Sequence, residues 1–255
     1  MKITADYHTH PFQTTRDYAG MLAMANRAVE CGYETICFTE HAPLDLKIAG
    51  NRHHLNMEEY ELYLECAERC RREFAGTLKV LIGIEADYHP GNLEQVAGLR
   101  SEYPFDHVGG SLHIHAPFWK EIAAAVPEEK RFDFVLDQTE KLIESGLFDS
   151  VNHLDFFRWK LVRDYTPRLR EERFRDIFDR MVRRGLKLEL NVSGVRKDFN
   201  SFLPCREVWD WSLDYPLERC YGSDAHDPSQ LGCEMERAAA WLAAADAHGA
   251  PPNCR

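Results

Sequence analysis

The chain has 255 residues, of which 44% are apolar, enough to fill the core of one large domain. Its net charge of −11 has the wrong sign for a surface that grips nucleic acid or anionic lipid, since phosphates are held by an excess of Lys and Arg. No stretch approaches the roughly 18 apolar residues of a membrane span. The opening MKITADYHTH has no apolar signal-peptide centre, and the eight cysteines form no CxxC pair. A reduced, cytoplasmic protein is the expectation.

In chain order, a strand is predicted over 2–7, with His8 and His10 just beyond it in DYHTH. Tyr18, Met21, Leu22, Ala25 and Val29 then recur at helical spacing, and Gly32 supplies a stop. A second strand over 34–39 runs into His41 of FTEH. After the polar loop KIAGNRHHLN, where His53 and His54 read as exposed or lid residues, a helix is expected over 57–74. The third strand, 79–84, ends on Glu85 in GIEADYH, where His89 reads as a neighbour of the pocket. A helix over 93–101 leads to the fourth strand, 107–111. His107 begins that strand and reads as structural; His113 follows it in GGSLHIH, with His115 two further on. Segment 114–131, with Phe118 and Trp119, is either a lid or a packed surface loop. Phe132, Val135, Leu136, Leu142 and Ile143 form an apolar helical stripe before Gly146, and the fifth strand, 150–152, ends on His153 in NHLD. Phe174, Ile177, Phe178, Met181 and Val182 repeat the stripe before Gly185. The sixth and seventh strands are placed at 186–191 and 219–223, the last followed by Asp224 and His226 in GSDAH. Helices are expected over 206–213 and 229–245.

Strands alternating with helices imply parallel βα units with right-handed crossovers. An open doubly wound sheet would carry glycines in its first βα turn to cradle phosphate. That turn reads HTHPFQTTRD, without glycine. An α/β barrel of seven units is therefore expected over 1–248, with 249–255 a loose tail.

In such a barrel every strand end opens on one face. Six of the seven ends carry a ligand-type residue. Each motif alone is weak: with 12 histidines in 255 residues, chance gives roughly 0.6 HxH pairs. His153 alone reads as readily as a structural hydrogen-bonder, Glu85 as a cap or ion-pair partner, and Asp224 as a cap of the next helix. Coincidence of place makes the case. Imidazole and carboxylate suit Zn²⁺, Mn²⁺ or Fe²⁺, and eight such residues are too many for one tetrahedral ion. Two or more divalent ions are expected, with one carboxylate bridging a pair.

The motifs DYHTH, FTEHAP, GIEADYHPG, GSLH, NHLD and GSDAH, spread over residues 6–226, resemble the PHP (polymerase and histidinol phosphatase) family, and its histidinol-phosphatase branch above all. The resemblance implies a distorted (β/α)7 barrel of TIM-like architecture. It implies a first ion on His8, His10, Glu85 and Asp224, and a second sharing Glu85 with His113 and His153. A third ion would use His41, His226 and a histidine about six residues past HxH. This chain has Arg16 there, beside Asp17. Either Asp17 turns inward as a ligand, or the Arg16 guanidinium replaces the third ion's charge, or Thr14 caps a helix that Asp17 supports from inside. Glu85, Asp224 and His226 are assigned to catalysis by the same resemblance. The implied reaction is hydrolysis of a small phosphate monoester, histidinol phosphate first, with Arg158, Lys160, Arg196 and Arg16 as the cations near the phosphate. Another phosphate ester, or a non-catalytic metal-stabilised domain, are the alternatives; the oligomeric state is left open.

Overall fold

The computed structural model describes residues 2–44, 54–114, 117–159, 161–162 and 165–247. Within them lie the strands β1 (Ala5–Thr9), β2 (Thr35–His41), β3 (Lys79–Asp87), β4 (His107–Ser111), β5 (Ser150–Val151), β6 (Lys187–Asn191) and β7 (Arg219–Gly222). The helices are α1 (Tyr18–Glu30), α2 (Met57–Glu73), α3 (Leu93–Glu102), α4 (Pro117–Ala124), α5 (Arg131–Glu144), α6 (Glu171–Arg184), α7 (Arg206–Ser212) and α8 (Met235–Ala247).

All strand pairings are parallel and follow chain order from β1 to β7. The last strand returns to the first. His10 N donates to Ala225 O at 2.7 Å and Asp224 N to His8 O at 2.8 Å, beside a parallel bridge between Thr9 and Ala225. The sheet is thereby a nearly closed seven-stranded barrel, as the alternation of apolar runs and helical stripes predicts. Strands buried on both faces read as continuous apolar runs, and Ile36, Phe38, Ile82, Ile84, Val108, Leu188 and Leu190 are all sealed from solvent.

The helices form where the apolar stripe demands burial, and their ends follow local chemistry. Asn56 and Glu59 make a reciprocal capping box that starts α2. Gly185, at φ 68, ends α6 in the left-handed conformation that costs other residues a Cβ clash. The stretch 229–245, expected as one helix, is divided: Pro228–Gln230 form a single 3₁₀ turn capped by Asp227, Gly232 takes φ 79, and α8 begins only at Met235. Segment 114–131 contains α4, and Ile114 and Trp119 are buried, with Trp119 edge-on to His89 and Phe134. The packed alternative holds for these residues. The expected tail 249–255, with His53, His115, Lys160 and His248, lies outside the described residues.

Candidate metal centre at the barrel mouth

Strand β1 runs two residues further than its apolar pattern predicts, so His8 lies inside it. Between Asp6 and Thr9 its register with β2 slips by one residue, a bulge of the kind that re-aims side chains at barrel rims. The rings of His8 and His10 converge, Nε2 to Nε2, at 3.0 Å. Glu85 lies within the buried run of β3, and its carboxylate occupies the middle of the mouth. Its oxygens lie 3.5 Å from His8 Nε2, 3.4 Å from His10 Nε2, 3.1 Å from His41 Nδ1, 3.8 Å from His113 Nε2 and 3.0 Å from His153 Nε2. Ser111 Oγ also donates to it. Asp224 closes the far side, 3.9 Å from His8 and 3.5 Å from His10. His10 is stacked between His41 and His226, with ring centroids 4.7 and 4.4 Å apart.

Two of these residues stand in strained backbone. His153 has φ 29 and Asp224 φ 51, a region that His and Asp enter more readily than most residues but at a cost of about 1–3 kcal/mol. Local hydrogen bonds hold both: His153 N donates to Glu189 Oε2 at 2.6 Å, and Asp224 N to His8 O. Strain of this kind collects where a side chain must be aimed.

Burial and charge shift the titrating groups in opposite directions. Burial and the neighbouring His226 hold His10 well below its ordinary value, and burial does the same to His41. Against the pull of burial, Glu189 and Glu85 raise His8, and Asp87 with Glu85 raises His113 to about 9. Glu85 and Asp224 resist burial too: the surrounding imidazoles keep both carboxyls well below the usual range. Such a set favours positive charge between its members.

The donor set fits divalent cations. Atoms from His8, His10 and Glu85 lie within 4.8 Å of one another, as do those of His8, His153 and Asp224, of His41, Glu85 and His113, and of His10, His41 and His226. Neutral imidazole nitrogens and carboxylate oxygens crowded at such range repel unless a proton or a cation lies among them.

The eight expected ligands therefore meet, but the residues after HxH do not join them. Asp17 is exposed and is itself the N-cap of α1, its side chain accepting from Gly20 N at 3.1 Å. This differs from two expectations: the Asp17 carboxylate is committed to the helix and does not join the mouth cluster, and Thr14 is not the cap, its hydroxyl donating instead to His226 O. Arg16 lies 3.8 Å from Glu59 of α2, and its charge also acts on the buried Glu40. Arg158 donates to Ser201 Oγ and Phe202 O, both at 2.7 Å, and stacks over Phe199. Arg196, exposed, donates to Ser223 O and Asp224 O at 2.9 Å and so stands beside the centre.

Several residues were not singled out from the sequence. Asp87, two residues past Glu85, accepts from His113 Nδ1 at 2.7 Å and from His54 Nε2 at 2.8 Å, bringing His54 in from a loop expected to be exposed. Glu40, of the FTEH motif, accepts from Phe12 N and Gln13 N, fixing the turn after His10. Glu189 accepts from His8 Nδ1 at 2.6 Å. A carboxylate inside an otherwise apolar buried strand is the signal that marks Glu189, because burying one without partners is costly. His107 hydrogen-bonds Ser150 at the opposite end of the barrel, as its place at a strand start implies.

The PHP domain family matches residues 6–193. Among curated proteins, the chain is similar to a "Probable histidinol-phosphatase" of Deinococcus radiodurans, 28% identical over 229 residues that cover 88% of this chain and 84% of that one. The histidinol-phosphatase of Bacillus subtilis is 23% identical over 266 residues, covering 91% and 96%. Among solved structures, the histidinol phosphate phosphatase of Lactococcus lactis subsp. lactis, complexed with zinc, L-histidinol and phosphate, superposes with a TM-score of 0.77. It is 18% identical and covers 98% of this chain and 95% of its own, a likeness of fold.

Proposed function

The chain belongs to the PHP family, and from that premise we propose that it is a metal-dependent phosphomonoesterase that hydrolyses histidinol phosphate to histidinol and phosphate. The observation that carries this reading is the Glu85 carboxylate, ringed by nitrogens of five histidines at 3.0–3.8 Å. The named relatives supply the ester, and the zinc of the Lactococcus enzyme supports a divalent metal.

His8, His10, Glu85 and Asp224 would hold a first ion, and Glu85, His113 and His153 a second; His41 and His226, with His10 at hand, would hold a third. Bound there, divalent ions activate water and neutralise charge growing on phosphoryl oxygens. The protein's own part is orientation. Glu85 offers one oxygen to His8, His10 and His41 and the other to His113 and His153, so it keeps the two ligand sets in register. His226, the most exposed of the pocket imidazoles at 38%, is the one an entering ester meets, and its Nδ1 is fixed by Asp224 O at 3.0 Å. Arg196 carries positive charge to the same rim; Arg16, Arg158 and, outside the described residues, Lys160 are the further cations proposed for the phosphate. Arginine suits this task because its planar fork matches two phosphate oxygens. Residues 1–248 are read as one catalytic domain, and the seven described cysteines, all free thiols, suit a reducing cytoplasm. Among the described residues no helix is long and apolar enough to cross a membrane.

The test compares kcat/KM for histidinol phosphate, sugar phosphates, nucleoside monophosphates and single-stranded DNA, using Mn²⁺-supplemented protein. Histidinol phosphate is expected to lead by tenfold or more, about 1.4 kcal/mol in transition-state binding. A tenfold preference for another ester moves the assignment to that ester, and cleavage of DNA alone makes the protein a nuclease. Elemental analysis should find two to three ions per chain; a value near zero in active protein overturns the metal dependence.

A further inference from the structure

Strand β6 alone sends no ligand-type residue to the mouth from its carboxyl end, yet it carries a buried carboxylate, Glu189, only 1% exposed. One oxygen accepts from His8 Nδ1 at 2.6 Å and from Asn191 Nδ2 at 3.1 Å; the other accepts from the backbone N–H of His153 at 2.6 Å. In the assignment proposed above His8 and His153 belong to different ligand sets, and Glu189 holds both. The neighbouring strand makes room for it. A Cβ at Gly222 would fall 1.9 Å from Glu189 Oε1 and 2.8 Å from His8 Cβ, so β7 must be bare at that point for the carboxylate to reach His8.

We propose that Glu189 is a positioning residue that fixes the proton of His8 on Nδ1 and the strained backbone of His153, and so sets metal affinity in both ligand sets. A carboxylate is acceptor-only, so the His8 nitrogen facing it carries the hydrogen, and with a cation bound Nε2 is left to give its lone pair to the ion that Glu85, His10 and Asp224 would share. The His153 N–H bond acts differently: it satisfies an amide that the φ of 29 turns out of the strand ladder. Both jobs need an acceptor at each oxygen. A glutamine has one acceptor and one NH₂ group, so in either orientation it turns a donor against His8 Nδ1 or against His153 N–H. In the first orientation His8 must move its proton to Nε2, which then points a hydrogen at the metal position. In the second, the His153 turn loses its tie.

This inference rests on the ligand assignments of the proposed function, and the experiment separates the two. Co²⁺ is titrated into metal-stripped parent, Glu189→Gln, Glu189→Asp, Gly222→Ala and His8→Ala, with visible absorption and a competing chelator giving stoichiometry and affinity. Far-UV circular dichroism and thermal unfolding are recorded with and without Co²⁺. His8→Ala is expected to lose at least one ion per chain; a full complement in that variant overturns the ligand reading itself. Glu189→Gln is expected to bind Co²⁺ 10–100-fold more weakly, the loss typical of a group that orients a ligand, and its Co²⁺-induced thermal shift should shrink. Gly222→Ala, which crowds the carboxylate without removing its charge, should move in the same direction. If Glu189→Gln unfolds, Glu189→Asp and Gly222→Ala decide by the same titration. Co²⁺ affinity within threefold of the parent in a folded Glu189 variant, with His8→Ala still losing an ion, overturns the positioning role. A purely structural role would lower stability with and without Co²⁺ alike and leave the affinity unchanged.

Discussion

Two regions of this molecule concentrate charge, and they do so in opposite ways. Along the contact of α5 and α6, Arg170 meets Asp133, Arg173 meets Asp137 and Glu140 at 2.7 and 2.6 Å, and Arg180 and Arg184 meet Glu144 at 3.1 and 2.5 Å. Every member is at least a fifth exposed, and each arginine carries its charge at any working pH. At the barrel mouth, Glu85 and its histidines are almost fully buried, apart from His113 and His226, and the partners are imidazoles whose charge depends on circumstance. The ladder is complete without any added ion, and solvent and salt dilute it. The mouth is a set of acceptors that water cannot dilute.

The first way to break that contrast is at its centre. Glu85→Gln keeps the shape and removes the charge shared by both ligand sets. It should lower kcat/KM by more than 100-fold, about 2.7 kcal/mol, and reduce bound metal per chain. Near-full turnover with the ion content of the parent would mean that the carboxylate is not the shared group.

A second measurement asks what burial does to an imidazole at a strand start, below the mouth. Burial pushes His107 down to about 4, so it stays neutral in the fold while the unfolded chain begins to take up a proton near 6.5. Stability is therefore complete above about 6.5 and falls as the pH drops towards 4, by up to about 3 kcal/mol. Urea unfolding of the parent and His107→Gln, compared between pH 4.5 and 7.5, should show this slope in the parent and a flatter one in the variant. Equal slopes would assign the acid sensitivity to other groups.

The smallest effect belongs to the ladder. Replacing Arg173, which pairs with Asp133, Asp137 and Glu140 of α5, by Met should cost about 0.5–1 kcal/mol in dilute buffer. The difference should shrink in 1 M NaCl, where the screening length falls to about 3 Å. A cost that persists in salt would mean that the aliphatic stem carries the contact.

The barrel was legible because its strands are short, apolar and separated by helical stripes, and β4 is found at the residues its pattern predicts, His107–Ser111. The eight mouth residues were legible because topology alone carries strand ends to one place. What surrounds them was not. His54 follows a long polar loop with no periodicity to aim it, yet it reaches Asp87. TTRD reads as a helix start capped by Thr14 with Asp17 inside the first turn, yet α1 starts one turn later and Asp17 is the cap. Glu189 offered a readable sign, a carboxylate between two leucines of a buried strand, but its partners at His8 and His153 lie 181 and 36 positions away. Pattern reports which face a residue takes; it does not report its neighbour across the barrel.

The centre is built astride the seam where β7 returns to β1, with His8 and His10 on one lip and Asp224 and His226 on the other. During synthesis these two lips emerge far apart in time. At about 5–20 residues per second, roughly 10–40 s separate His8 from Asp224. For most of that interval the nascent chain can present His8, His10, His41 and Glu85 without the carboxylate that completes the first set. Closure of the ring, and with it completion of the proposed first set, thus waits on the last strand made.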